Sequence, residues 1–161
     1  IAWSNLQVSV DHFNMFGEAL GYFKKEFMCY PDELIEKCVF VKDNENNIIA
    51  TASLWRGKHF NKELQRVHWV AVHPDHQGRG IAKALITKVL NIYNKLGYKD
   101  FIYLTTQTWS YKAINIYMEF GFMPYLGDKP DNWSGNSDEF DKDKTIGWKL
   151  IKDRINANKR K

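Results

Sequence analysis

Apolar side chains recur every three or four residues between Trp3 and Phe27. Phe13, Phe16, Leu20, Phe23 and Phe27 follow this helical period, so one or two helices open the chain. Asp11 is a candidate cap within this region, and Gly17 or Gly21 a candidate interruption. Pro31-Asp32 begins a helical turn that runs to Lys37. The β-prone run Cys38-Val39-Phe40-Val41, the polar turn Asp43-Asn44-Glu45-Asn46-Asn47 and the apolar run Ile48 to Trp55 together predict a hairpin over 38–55. After a loop from Arg56 to Lys62, Leu64 to Val72 predicts a third strand. His73-Pro74-Asp75 ends it, because proline cannot donate to a ladder.

The clearest helical pattern spans Gly80 to Leu96. Ile81, Leu85, Val89, Ile92 and Leu96 share one face, and Gly97 serves as the terminating residue. Phe101 to Thr106 predicts a fourth strand. Ser110 is a candidate cap for a helix over Tyr111 to Phe120, which Gly121 closes. Phe122 to Leu126 reads as extended, and Thr145 to Ile151 as a last strand. Strand, helix and strand over 64–106 imply a parallel pair with a right-handed crossover. The hairpins on either side make the sheet mixed, so the fold class is α/β with helices on the sheet faces.

A chain of 161 residues has room for one core, and an aromatic content of 15% argues against disorder. Residues 1–161 are therefore read as a single domain. The longest mostly apolar stretch, Ile48 to Trp55, is far short of the ~20 residues that span a bilayer, and no membrane partner is expected. The net charge of +4 is mild but unevenly spread. Lys149 to Lys161 carries a net of +5, and Gly127 to Asp143 a net of −4. The basic tail is short and lacks interleaved aromatics, so nucleic acid is not expected either. Cys29 and Cys38 fit no zinc or redox spacing and suit a reducing, cytoplasmic setting. His68, His73 and His76 lie close in sequence. However, His73 and His76 straddle Pro74 in a turn that no cysteine joins, and no metal is expected.

Chemistry concentrates in Trp69 to Leu85, WVAVHPDHQGRGIAKAL. A strand ends, Gln77-Gly78-Arg79-Gly80 turns, and a long helix starts. Glycines let backbone N–H groups approach a ligand closely. A helix start leaves its first N–H groups unpaired and carries about half a positive charge. Arg79 and Lys83 add mobile charge, so a diphosphate is the natural guest. The frame Gly78-x-Gly80-x-x-Lys83 lacks the third glycine of the dinucleotide fingerprint, and the phosphate-loop pattern is absent.

The wider frame, Val70-Ala71-Val72-x-Pro74-x-x-Gln77-Gly78-Arg79-Gly80-Ile81-Ala82, resembles the coenzyme A signature of the GNAT superfamily of acyl-CoA N-acyltransferases. That signature reads Arg/Gln-x-x-Gly-x-Gly/Ala between a strand and a long helix, and Gln77, Gly80 and Ala82 fill its fixed places. A second block, Ser110-x-x-Ala113-x-x-x-Tyr117-x-x-x-Gly121-Phe122, resembles the family's closing helix. The resemblance covers roughly residues 38–126.

It implies a mostly antiparallel sheet splayed at the parallel pair, here between Val67–Val72 and Phe101–Thr106. The pantetheine arm of acetyl-CoA, the implied co-substrate, would lie in that gap. Val70, Ala71 and Val72 would meet the pantetheine. Gln77, Gly78, Arg79, Gly80, Ile81, Ala82 and Lys83 would hold the diphosphate, and Ser110 stands where the family often has Asn. The fold normally opens with a strand, so one is expected upstream of Ile1 or replaced by other structure.

The implied reaction passes an acetyl group from the thioester to a primary amine of a small molecule or peptide. Tyr117, at the family's Tyr position, is the candidate acid for the leaving thiolate. His68 is the candidate base, with a reference pKa of ~6.5 suited to neutrality. Glu63 and a water chain are competing routes. The Val70 N–H is the implied oxyanion donor. Trp55, Trp69, Trp109, Tyr111, Tyr125, Trp133, Asp128 and Asp131 are candidates for an amine pocket. The family resemblance makes a homodimer possible. The alternative is a non-catalytic acyl-CoA-binding module.

Overall fold

The computed structural model describes residues 1–159, so Arg160 and Lys161 of the basic tail lie outside the described residues. The chain forms two compact units. The first comprises Ile1–Trp55 and Gln65–Ile102, and the second Arg56–Leu64 and Tyr103–Lys161.

The first unit opens with two helices, α1 (Ala2–Ser9) and α2 (Phe16–Glu26). Gly17 and Gly21 lie inside α2 and do not interrupt it. The break falls at Val10–Met15, where Asp11 turns the chain with φ 58° and does not cap α2. Next come α3 (Pro31–Lys37), β1 (Cys38–Lys42), β2 (Ile48–Gly57) and β3 (Leu64–Val72). Strands β1 and β2 pair antiparallel from Cys38↔Ser53 to Lys42↔Ile48, with an irregularity between Val41 and Lys42. Asp43 builds the connecting turn, its carboxylate accepting from the N–H groups of Glu45 and Asn47.

The sheet order is β1-β2-β3. Ser53 on β2 donates to the His68 carbonyl, and the His73 N–H to the Ile49 carbonyl, so β3 runs antiparallel to β2. Ile49 to Trp55 is buried at every position. Since side chains alternate between faces, both faces of β2 are covered. The two polar side chains in that run are satisfied: Thr51 donates to the Val39 carbonyl and Ser53 to that of His68. Trp3, Ala19, Phe27 and Trp55 form an aromatic-rich core between α1, α2 and the sheet. Helix α4 (Ile81–Lys95) buries Leu85, Ile86 and Val89 and packs with α3 and β1.

The second unit corrects two expected strands. Phe101–Thr106 holds a single bridge residue, Tyr103, and no ladder. Phe101 and Thr105 share Tyr103's side in a period of two, yet both are exposed, so no buried face exists to hold a strand. Thr145–Ile151 lies inside a long helix, α6 (Ser137–Lys159). The alternation of Ile146, Trp148 and Leu150 suggests a strand. The buried or half-buried positions instead run Phe140, Lys144, Gly147, Trp148, Ile151, Ile155, a helical stripe. A reciprocal cap starts α6: the Glu139 N–H donates to the Asn136 side chain, and the Asn136 N–H to the Glu139 carboxylate. Helix α5 (Tyr111–Glu119) forms as expected and packs on α6. Phe122–Leu126 joins no strand. An α/β fold with an antiparallel sheet flanked by helices stands.

Both cysteines are free. Cys29 is exposed, whereas burial pushes the Cys38 thiol up to about 11. At pH 8 a thiol reagent should therefore modify Cys29 in the native protein and reach Cys38 only after denaturation. Equal labelling rates in the native state would contradict the burial of Cys38.

Candidate functional site

The strand-to-helix turn after β3 is built by a short relay of hydrogen bonds. The His73 N–H anchors to β2 at the Ile49 carbonyl (2.8 Å). Pro74–His76 makes one 3₁₀ turn, and the Gln77 N–H bonds back to the Pro74 carbonyl (3.2 Å). The Gln77 side-chain amide donates to the Val72 carbonyl (3.1 Å), tying the turn to the strand end. Gly78 and Gly80 then take left-handed φ values of 74° and 78°. An ideal Cβ at either would meet nothing within 4 Å, so the glycines are required by conformation and leave open space above the backbone.

The first intrahelical bond of α4 closes from the Ala84 N–H to the Gly80 carbonyl. The N–H groups ahead of Ala84 thus have no acceptor within the helix and face the turn with the positive end of its dipole. Arg79 and Lys83 are exposed beside it, and Ile81 and Ala82 are half-buried. An open, glycine-lined helix start flanked by two cations can take a phosphate or diphosphate. On β3, Ala71 is buried and Val70 and Val72 are half-buried. His68, Val70–Val72 and Gln77–Lys83 all lie in the first unit, in order along β3 and the turn that follows it.

His68 is half-buried on β3 in a polar cluster that the sequence reading missed. Its Nε2 lies 3.0 Å from Arg66 Nη2 and 3.4 Å from the Tyr22 hydroxyl, and Arg66 pairs with Glu26 at 3.5 Å. A guanidinium can only donate, so Nε2 accepts and carries no proton in this arrangement. The signal was available, because residues two apart on a strand share a face.

Next to it, Trp69 sits at φ 49°, a left-handed backbone within a strand that costs a non-glycine residue about 1–2 kcal/mol. The fully buried Gln7 of α1 holds it there. Gln7 Nε2 donates to the Trp69 carbonyl (3.1 Å), and His12 Nδ1 donates to Gln7 Oε1 (2.5 Å). A planar trans peptide makes carbonyl and N–H point in opposite directions, so fixing the Trp69 carbonyl also aims the Val70 N–H. The only sequence signal for Gln7 is its place four residues after Trp3 on the buried side of α1.

Ser110 and Tyr117 belong to the second unit. Ser110 ends a 3₁₀ turn (Thr108–Ser110) at the start of α5, and its side chain makes no cap bond. Tyr117 lies near the end of α5 with its ring against Phe122 (6.1 Å). Burial pushes its phenol up to about 12, so it holds its proton throughout the physiological range and can serve as a proton donor.

Several candidates for an amine pocket have other roles. Trp55 is 0% exposed and packs on Phe27 in the core. Trp69 packs among Trp3, Phe13 and Tyr22. The Asp131 carboxylate accepts from the Asn61 N–H and stitches two loops of the second unit together. Trp109 and Asp128 remain exposed. Among the described residues no group of three His, Cys, Asp or Glu could hold a metal ion, and no helix is long and apolar enough to cross a membrane.

The profile of the acetyltransferase (GNAT) family matches residues 11–122. The chain is 43% identical over 61 residues to N-acetyltransferase 8B of Rattus norvegicus, a match covering 38% of this chain and 27% of that protein. A Staphylococcus aureus protein described as a probable acetyltransferase shares the fold with a TM-score of 0.59 at 14% identity, covering 84% of this chain and 91% of that one. A predicted acetyltransferase of Clostridium acetobutylicum, solved with acetyl-CoA, matches with a TM-score of 0.51 at 18% identity, covering 77% and 75%.

Gln7→Leu strands the Trp69 carbonyl and should lower stability by about 1–3 kcal/mol, read from the urea unfolding midpoint. Gly80→Ala should cost about 1–2 kcal/mol through backbone strain alone, because its Cβ meets nothing. Midpoints equal to the parent's would contradict both assignments.

Proposed function

The chain belongs to the acetyltransferase (GNAT) family, and from that premise we propose that it transfers an acetyl group from acetyl-CoA to a primary amine of a small molecule or peptide, by direct attack in a ternary complex. Residues 1–161 act in this reading as one catalytic domain. The observation that carries it is the Gln77–Lys83 turn, with its two left-handed glycines, open space and flanking cations. Gln77, Gly78, Arg79, Gly80, Ile81, Ala82 and Lys83 would hold the diphosphate, Val70, Ala71 and Val72 the pantetheine arm, and Ser110 a further part of that arm. Bound acetyl-CoA supplies an activated thioester carbonyl.

An ammonium cannot attack that carbonyl until it loses a proton. His68 takes it, the incoming N–H displacing that of Arg66 at the Nε2 lone pair. The Val70 N–H, aimed by the Gln7 clamp, faces the carbonyl oxygen as negative charge gathers there. Tyr117 donates its phenolic proton to the departing thiolate; burial keeps that proton in place until then, at the cost of a weaker acid. No step calls on a metal. Two free thiols support a reducing, cytoplasmic setting. A non-catalytic acyl-CoA-binding module is the second reading, favoured by the engagement of His68 Nε2 with Arg66.

Steady-state assays with acetyl-CoA and a panel of amines separate the two. Tyr117→Phe should lower kcat by about 10²–10⁴-fold with little change in the KM for acetyl-CoA. The acid must be protonated to work, and a phenol titrating at about 12 stays so as pH rises. Tyr117 should therefore impose no alkaline loss of rate until that value is approached. His68→Ala should remove the acidic limb of the pH–rate profile. Full turnover by Tyr117→Phe at every pH, or an unchanged acidic limb in His68→Ala, would remove the respective role. CoA binding without turnover on any amine would favour the binding module.

A further inference from the structure

Arg66 and His68 stand two apart on β3 and so share a face. Tyr22 and Glu26, one turn apart on α2, reach both of them. Arg66 Nη2 is 3.0 Å from His68 Nε2, while its pair with Glu26 is longer, at 3.5 Å. The side chains of Arg66 and Glu26 are 13% and 29% exposed, so water and salt screen their charges only in part. A permanent cation against Nε2 donates to the lone pair of the neutral ring and repels the ring once a proton is added. The Glu26 carboxylate acts the other way, because it offsets the guanidinium charge and draws it from the ring. The Tyr22 hydroxyl oxygen, 3.4 Å from Nε2, can accept from Nε2–H when a proton arrives. Burial raises the Tyr22 phenol, so Tyr22 stays neutral while it does so.

We propose that Arg66, Glu26 and Tyr22 are positioning residues that set the pH at which His68 takes up a proton, Arg66 favouring the neutral ring and Glu26 and Tyr22 the charged one. In the neutral state Arg66 holds the Nε2 lone pair. On protonation Nε2–H turns to the Tyr22 oxygen, and the guanidinium withdraws toward Glu26. The guanidinium contact therefore does not disable the base. It keeps the ring in the unprotonated form, the one that can take a proton from an ammonium. Other elements around His68 add little charge. Helix α1 and the Ile49 to Trp55 stretch of β2 carry no titratable side chain. Glu18, Lys24 and Lys25 of α2 are exposed. Between α1 and α2, Asp11 is exposed and His12 packs on Trp69 (5.5 Å). The catalytic meaning of this tuning rests on the proposed role of His68 in acetyl transfer, whereas the tuning itself does not.

Nitrogen-15 NMR titration of the imidazole rings tests it without any substrate. The chain has five histidines, and the His68 signals are those lost in His68→Gln. The His68 midpoint should rise by about one pH unit in Arg66→Leu, which removes the repelling charge and leaves Glu26 unopposed. It should fall by about half a unit in Glu26→Gln, and fall also in Tyr22→Phe, which loses the acceptor of Nε2–H. Arg66→Lys keeps the charge and should stay nearer the parent than Arg66→Leu does. Glu26→Gln is isosteric on a half-buried side chain, so it reads the pair even where Arg66→Leu fails to fold. A midpoint unmoved by Glu26→Gln would overturn the proposal, as would one that moves the same way in Glu26→Gln and Arg66→Leu. The acidic limb of the pH–rate profile should follow the NMR midpoint from variant to variant. Midpoints that move in the expected directions while the limb stays fixed would uphold the tuning and remove His68 as the base.

Discussion

A helix cannot satisfy the N–H groups of its own first turn, and the first unit is organised around presenting those of α4. Strand β2 is buried on both faces and gives a fixed reference. Strand β3 lies on it, and the chain that leaves β3 is held at once by the bond from His73 to the Ile49 carbonyl and by the Gln77 amide on Val72. Only then do Gly78 and Gly80 swing the backbone through the left-handed region into α4. The turn is open because the residues that shape it are glycines, and it is rigid because both of its ends are tied. An anion site needs both properties, since a flexible loop would lose on ordering what the dipole gains.

Strain is placed next to this turn and offset locally. Trp69 adopts a backbone that costs a non-glycine residue about 1–2 kcal/mol, and its ring is locked among Trp3, Phe13 and Tyr22. The Gln7 amide, with a typical net hydrogen-bond value of about 0.5–1.5 kcal/mol, accounts for much of that cost. The same amide orients the peptide leading to Val70, so a packing device and a candidate catalytic feature are one structure. Arg66 and Tyr22 crowd His68 in a similar way. The helices α1 and α2 therefore do more than cover the sheet: they supply Gln7 and Tyr22 to the strand that carries the candidate residues His68 and Val70.

Legibility in the sequence followed how local the determining physics is. The hairpin, β3, α4 and α5 were readable because each carries its own period and its own turn residues. The glycine turn was readable because Gly78 and Gly80 are demanded by φ rather than by distant packing. Phe101–Thr106 has β-prone residues but only one buried position, a fact of tertiary context. In α6 the alternation of Ile146, Trp148 and Leu150 masked a helical stripe from Phe140 to Ile155. The Asn136/Glu139 cap was the local sign that could have revealed it. Gln7, His12, Tyr22 and Glu26 lie far in sequence from β3, and only the fold brings them to His68 and Trp69. Tyr117 and His68 were legible as candidates through family resemblance, while the occupied Nε2 of His68 was not.

The proposed grip of the α4 turn on the phosphates of CoA is tested most directly by titration calorimetry with CoA itself. One saturable site per chain is expected, with a dissociation constant of about 1 µM to 1 mM, weakening as salt is raised because cations and a helix dipole hold the ligand. Heats that never rise above dilution up to several millimolar CoA, in a protein whose unfolding transition is intact, would contradict it.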